Sequence, residues 1–302
     1  MPLYVRRLPA QNTAIVDPKS LPANQSLYNP SRAGNDLYIR ATIYTRTNEL
    51  NHALFYNVET KVTKEVKSPY HLLKKTVNLF QGIEDLRICR YNERVWFSAT
   101  ATHASDDMTN VLIIGYMNEY VSEVEFLQVV DIGSLPVKNV CPFVWKDKLH
   151  LLDVFLSKIY LVVEEKDESG ALKLFAVVAK EITRAPGISD TQYRGSTSPV
   201  HLHGNTWGCV VHDIIFNDNK ILVTRLAYMH HWMEFDMDRG VTTFISSPFF
   251  LQHWGVEYIS GIFLPTEATN MPVKDAVVLY YGIQDKAPMQ AVTRLSDLRC
   301  GR

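Results

Sequence analysis

One spacing constrains this 302-residue chain more than any other feature. Asn29, Glu84, Asn139, Gly195 and Glu257 each belong to a polar phrase, and they stand 55, 55, 56 and 62 residues apart. After each phrase come a short strand-like run, a polar turn or linker, and a further run rich in aromatic or β-branched residues. The copies are Tyr28–Arg32 with LYIRATIY, Gly82–Arg87 with ICRY and RVWFSATAT, and Lys138–Pro142 with FVW and LHLLDVF. Arg194–Pro199 with VHLH and TWGCVVHDI, and Val256–Gly261 with IFLP and AVVLYYGI, complete the set. Turns are expected at Gly34-Asn35-Asp36, Asn92-Glu93, Lys146-Asp147-Lys148 and Gly204-Asn205, where polar residues and glycine interrupt the apolar runs. A repeat of about 50 residues holding three or four strands is what a β-propeller blade requires. The sequence therefore predicts an all-β chain, a five-bladed β-propeller forming one domain over residues 1–302. A β-sandwich is the competing architecture, because it too strings short strands between regular turns. The charged stretch Glu164–Gly170 is expected to be a solvated turn or insertion.

Composition narrows the function. With 31 Lys plus Arg against 32 Asp plus Glu, the formal net charge of −1 provides no global field for a nucleic-acid backbone, and no nucleic-acid partner is expected. Runs such as Val111–Ile114 and Val277–Tyr281 are strand-sized, far short of the roughly 18 apolar residues of a membrane span. The first residues carry two arginines without an apolar stretch behind them, unlike a secretory signal, so a cytoplasmic location is expected. Cys89, Cys141, Cys209 and Cys300 form no C-x-x-C pair and are expected to be reduced thiols packed in or near strands.

In a propeller the innermost strands flank a central channel, so a polar phrase at the same point of every repeat brings five clusters to one end of it. The clusters hold Asn29 and Arg32; Glu84, Asp85 and Arg87; Lys138 and Asn139; Arg194, Ser196 and Thr197; and Glu257. Buried polar groups are costly when unpaired, so these are expected to face water or a small polar ligand. Carboxylates suit sugar hydroxyls or acid–base work, and cations suit an anionic group such as phosphate. Tyr28, Trp207, Tyr228, Trp232, Trp254, Tyr258 and Tyr281 are candidate stacking faces for pyranose rings, each weighed against a place in the core. His230-His231 could donate to a phosphate oxygen or hydroxyl, whereas His201 and His203 read as one face of a strand. No third ligand completes a metal set with that His-x-His, so no metal site is expected.

The phrases resemble those of the five-bladed propeller enzymes of glycoside hydrolase family 130 and the related β-mannosyltransferases and phosphorylases. Tyr28-Asn29-Pro30 followed by Arg40 is similar to the family's opening blade, and Glu84-Asp85-Leu86-Arg87 is similar to its Glu-Asp-Pro-Arg signature, with Leu86 in place of proline. Tyr280-Tyr281-Gly282-Ile283-Gln284-Asp285 is similar to its closing Tyr-Tyr-Gly-x-x-Asp. The third blade departs: the phosphorylases place there a Lys-Asp pair whose aspartate is the proton donor, and this chain has Lys138-Asn139. A subgroup found beside glycosyltransferase modules and in large viruses resembles the chain further, through Lys138–Phe143, Arg194–Thr197, Tyr228–His230 and Glu257. In a viral setting the expected location is the host cytoplasm.

The resemblance implies glycan synthesis by a glycosyltransferase that moves a sugar from a phosphate-activated donor, a sugar nucleotide foremost, to a carbohydrate acceptor. Asp85, Glu84 and Glu257 are then the candidate catalytic bases, in no fixed order. Arg87, Lys138, Arg194 and His230 are candidates for the leaving phosphate, with Asn29, Arg32, Asn139, Tyr228, Tyr281 and Asp285 completing the substrate-binding set. No cofactor is expected beyond the donor itself, and a divalent metal is not required. The alternatives are a glycoside phosphorylase or hydrolase on β-linked oligosaccharides with a relocated acid, and a non-catalytic glycan-binding propeller.

Overall fold

Runs of Val, Ile, Leu, Tyr and Phe separated by two-residue polar turns fold as successive antiparallel hairpins. The turns Asn92-Glu93, Lys146-Asp147 and Gln284-Asp285 hold both residues at φ between 49° and 59°, the left-handed pair that matches the twist of the flanking strands. A computed structural model describes residues 5–16, 24–33, 36–44, 49–66, 80–101, 110–118, 123–133, 138–188, 191–216, 226–253, 255–265 and 275–300. Gly34, Asn35 and Trp254 lie outside the described residues.

The described strands fall into four hydrogen-bonded sheets, along which five successive antiparallel meanders can be followed; the first two share one sheet through a parallel pairing of Glu49–Asn51 with Phe80–Gly82. The first comprises Gln25–Ala33, Asp36–Tyr44, Glu49–Asn57 and Thr63–Glu65; the second, Phe80–Tyr91, Arg94–Ala101, Val111–Asn118 and Val124–Val130. The third comprises Cys141–Trp145, Lys148–Asp153, Lys158–Lys166 and Leu172–Glu181. In the fourth, Arg194–Gly195 and Val200–His203 both pair with Thr206–Phe216, and Leu226–Asp236 and Val241–Ile245 follow. The fifth contains Glu257–Phe263, Ala276–Ile283 and Ala287–Arg294, and takes its fourth strand from the other end of the chain, Gln11–Ala14. That N-terminal strand carried no signal in the repeat, because its sequence, QNTA, has neither β-branched alternation nor a turn beside it.

Apolar packing links the meanders in sequence. Tyr38 and Ala53 of the first pack with Ile88, Phe97 and Ile113 of the second, and Trp96 and Leu112 of the second pack with Leu151 and Tyr160 of the third. Phe143 and Leu152 of the third meet Cys209 and Phe235 of the fourth, and Val210 and Trp232 of the fourth meet Ile259 and Leu279 of the fifth. Val278 and Tyr280 of the fifth then pack with Leu27, Leu37 and Ile39 of the first. Each fully buried Leu, Ile or Phe contributes about 1.5–3 kcal/mol, so these five contacts between neighbours carry the bulk of the fold's cohesion.

Three details differ from the sequence reading. The first, second and fifth polar phrases lie inside the inner strands rather than before them, at register shifts between Tyr28 and Ser31, Glu84 and Arg87, and Ile259 and Gly261, whereas Lys138–Val140 precedes its strand as expected. A bulge lets the strand continue while re-aiming its side chains. Glu164–Lys166 ends a strand and only Asp167–Gly170 forms the turn, held by the Asp167 carboxylate on the Ser169 and Ala171 amides. The fifth inner strand begins at Glu257, not at Ile262.

Candidate active site

Asn29, Asp85 and Asn139 adopt φ of 50°, 53° and 61°, the left-handed region that Asn and Asp tolerate better than other side chains. The structural anchor of the second phrase is thus Asp85, one residue after Glu84. Asn29 Nδ2 donates to Asp85 Oδ1 at 2.7 Å, and Arg40 Nη1 donates to the same oxygen at 2.9 Å. Arg40 Nε is fixed by Asn51 Oδ1 at 2.9 Å, its Nη2 lies 3.5 Å from Glu84 Oε2, and its guanidinium stacks over the Tyr28 ring. Burial works against the Asp85 charge, but Arg40, Arg87 and the two hydrogen bonds outweigh it and hold the carboxyl well below the usual range. Its side chain is 19% exposed, so an ionised carboxylate sits mostly buried with part of its surface open.

Arg87 lies beneath this mouth and ties four inner strands together. Its Nε donates to Ser196 O at 2.7 Å, its Nη1 to Asp85 O at 3.0 Å, and its Nη2 to Tyr258 Oη at 2.6 Å. Tyr258 in turn donates to Asn139 Oδ1 at 2.7 Å. Sequence reasoning offered Arg87 and Asn139 as ligand contacts; the structure places both in this internal network, with Arg87 fully buried.

Within electrostatic reach of Asp85 lie Tyr228 and the buried His212, both close to Arg194. Arg194 is exposed and pairs across the sheet with His212, whose Nδ1 lies 2.8 Å from Ser196 Oγ. Burial, His230 and Arg194 hold the His212 pKa well below the usual imidazole value, so the ring is neutral at pH 7. The Tyr228 ring packs edge-on against His212 and Tyr258. Its phenol lies within electrostatic reach of Asp285, Asp85, Arg194 and Arg40, and burial with the two carboxylates pushes its pKa up to about 12. The structure thus brings Asn29, Glu84, Asp85, Arg194, Tyr228 and Asp285 into one polar neighbourhood, and Lys138 is exposed beside Asn139.

The remaining candidates have other tasks. Both oxygens of Glu257 are taken by the backbone amides of Leu251, Gln252 and His253, and the side chain is fully buried, so it ties a loop. Burial raises its pKa, opposed by these amides. Arg32 stacks 3.9 Å from the Phe263 ring centroid and donates to Tyr280 Oη, away from Asp85. Tyr281 is a core residue donating to Asn12 Oδ1, Trp232 is likewise core, and Trp207 packs with Phe143 and His201. Sequence reasoning named Arg40 only through a resemblance and missed His212. Both are polar residues in the otherwise apolar second strand of a meander, which is the signal that would have found them.

His230 is fully buried; Nε2 donates to Glu257 O at 2.7 Å and Nδ1 is buried without a partner. Burial lowers its pKa to about 4, so it is a neutral packing group and not a cation for phosphate. The unfolded chain binds a proton near pH 6.5 that the folded chain refuses until about pH 4, so this contribution is complete above 6.5 and is lost as pH falls toward 4. Stability should drop by about 2 kcal/mol between pH 7.5 and 5 from His230 alone, with His212 adding in the same direction. Urea unfolding at the two pH values checks this; an unchanged midpoint would contradict the burial of both rings.

No protein-family profile and no curated protein matches the chain. Solved structures do. A mannose phosphorylase from Leishmania mexicana, in complex with phosphate ion, superposes with a TM-score of 0.59 at 11% identity over 96% of this chain and 89% of its own. The chain shares that fold. A GDP-Man-dependent mannosyltransferase from the same organism gives a TM-score of 0.57 at 12% identity over 92% of this chain and 89% of its own. A structure from the GH130 family of mannoside phosphorylases, reported with hydrolases that target β-1,2-mannosidic linkages in Candida mannan, gives 0.52 at 11% over 92% and 87%. The expected kinship with glycoside hydrolase family 130 is borne out at the level of fold. No helix among the described residues is long and apolar enough to cross a membrane.

Proposed function

We propose that the protein is a glycosyltransferase that moves a sugar from a phosphate-activated donor to a carbohydrate acceptor, at the mouth of a five-bladed propeller. The five neighbour-to-neighbour cores support that architecture, the last meander packing on the first; two facing sheets would instead share one core. The observation that carries the reaction is an ionised carboxylate, Asp85, within reach of the same Tyr228 phenol as the exposed cation Arg194.

Cleaving a glycoside needs an acid to protonate the leaving oxygen. Among the described residues of this mouth Asp85 is held ionised, Asn139 has no acidic proton, His212 is neutral and Tyr228 is a weak acid, which leaves Glu84 and Asp285 as the carboxyl groups for such a role. A phosphate leaving group departs without a proton. In the proposed step the acceptor oxygen bonds to the anomeric carbon, the bond from that carbon to the phosphate oxygen breaks, the acceptor proton passes to solvent, and the Asp85 charge stabilises the positive charge that develops at the anomeric carbon. Arg194 and Lys138 receive the charge of the departing phosphate, so no divalent metal is required. Solved neighbours named for phosphate and for GDP-Man support a donor of this class.

Calorimetric titration with GDP and UDP tests the reading. Saturable binding of one of them, weakened at least tenfold in Arg194→Met, is the expected result; wild-type protein that binds neither would count against a nucleotide-sugar donor.

A further inference from the structure

Beneath the mouth lies a second chamber, and we propose that it binds a small organic phosphate, with Arg32 and Arg90 holding the phosphate and an apolar floor holding the organic group. The cavity measures about 280 Å³ and is lined by residues 31–32, 88–90, 142–144, 198–200 and 260–262, two to five residues further along the chain than Asn29, Asp85, Asn139, Gly195 and Glu257. Arg87, bonded to Ser196 and Tyr258, lies between the two levels, so the chamber is separate from the carboxylate at Asp85.

The charged residues lining the chamber are Arg32 and Arg90, and no carboxylate lines it. Arg32 is held in place by the Phe263 ring at 3.9 Å and by Tyr280, and Arg90 by Asp36 at 2.9 Å. Guanidinium groups fixed before a ligand arrives lose little freedom on binding it, and their fork matches phosphate oxygens. A second observation is independent of charge: the Ser198 hydroxyl lines the chamber, is buried, and has no hydrogen-bond partner. A buried hydroxyl left unpaired is costly, and a phosphate oxygen would satisfy it. Phe143, Pro199 and Ile262 supply the apolar surface. Apolar walls with a few convergent polar groups are the usual construction of a small-molecule site.

Titration calorimetry with phenyl phosphate and with inorganic phosphate is the test. Wild-type protein should bind phenyl phosphate saturably and at least tenfold more tightly than inorganic phosphate, because the phenyl ring uses the apolar floor. Arg32→Met and Arg90→Met should each weaken it tenfold or more. Ser198→Ala, which removes an unpaired group and leaves the fold intact, should weaken it severalfold without lowering the melting temperature. Arg194→Met should leave it unchanged. Absence of saturable phenyl phosphate binding would overturn the proposal, as would binding abolished by Arg194→Met and untouched by Arg32→Met and Ser198→Ala.

Discussion

Replacing Asp85 with Asn should lower the transfer rate by about 10²–10³-fold while the protein stays folded, the usual cost of removing one fixed electrostatic partner of a transition state. Asn keeps the left-handed backbone at this position accessible, and its amide oxygen can still accept from Asn29 and Arg40. What disappears is the negative charge that the proposed step sets beside the anomeric carbon, on which an oxocarbenium-like transition state draws. Steady-state kinetics with saturating donor and acceptor, beside a thermal melt, separate this effect from unfolding. If Asp85→Asn retains more than a tenth of the wild-type rate, Asp85 is not at the reacting centre. Glu257→Gln should act differently: its carboxylate accepts from three backbone amides in a loop, so stability falls in the same melt.

Arg87→Met should produce the largest loss of stability of any single change in the channel, about 3–5 kcal/mol. The guanidinium is buried and donates to the Ser196, Asp85 and Leu86 carbonyls and the Tyr258 hydroxyl, all of which lose that donor in the variant. Leaving several buried acceptors unpaired costs about 1–3 kcal/mol each before relaxation. Tyr258, Asp85 and Cys141 also keep the Arg87 pKa raised in spite of its burial, so the group is charged at every pH where the fold persists. Denaturant unfolding measures the effect. A change under about 1 kcal/mol would mean that the four inner strands are held together without it.

The period in the sequence reported the inner strands well, because a polar phrase recurs at or just before each of them, with a bulge in the first, second and fifth. Asn29, Asp85 and Asn139 are visible for that reason: a left-handed backbone residue in a strand favours Asn or Asp, and the requirement recurs. The tasks of the charged residues were less legible. Arg87 and Arg194 occupy similar phrases, yet one is fully buried and the other exposed, and only the partners across the channel decide which. Glu257 and His230 read as site residues for the same reason, and turn out to face a loop and a backbone carbonyl. The strand Gln11–Ala14 was invisible because its pairing partner, Ala287–Arg294, lies at the other end of the chain.

The most direct test of the account is a product analysis with the wild-type protein. Sugar nucleotides, GDP-mannose first, are supplied with a β-linked mannooligosaccharide, and the same oligosaccharide is supplied separately with water and with inorganic phosphate. The account predicts acceptor-dependent release of nucleoside diphosphate and a lengthened oligosaccharide, with little shortening in the other two mixtures. Rapid shortening by water or phosphate, with the sugar nucleotides untouched, would contradict it and return a glycoside-cleaving acid to this mouth.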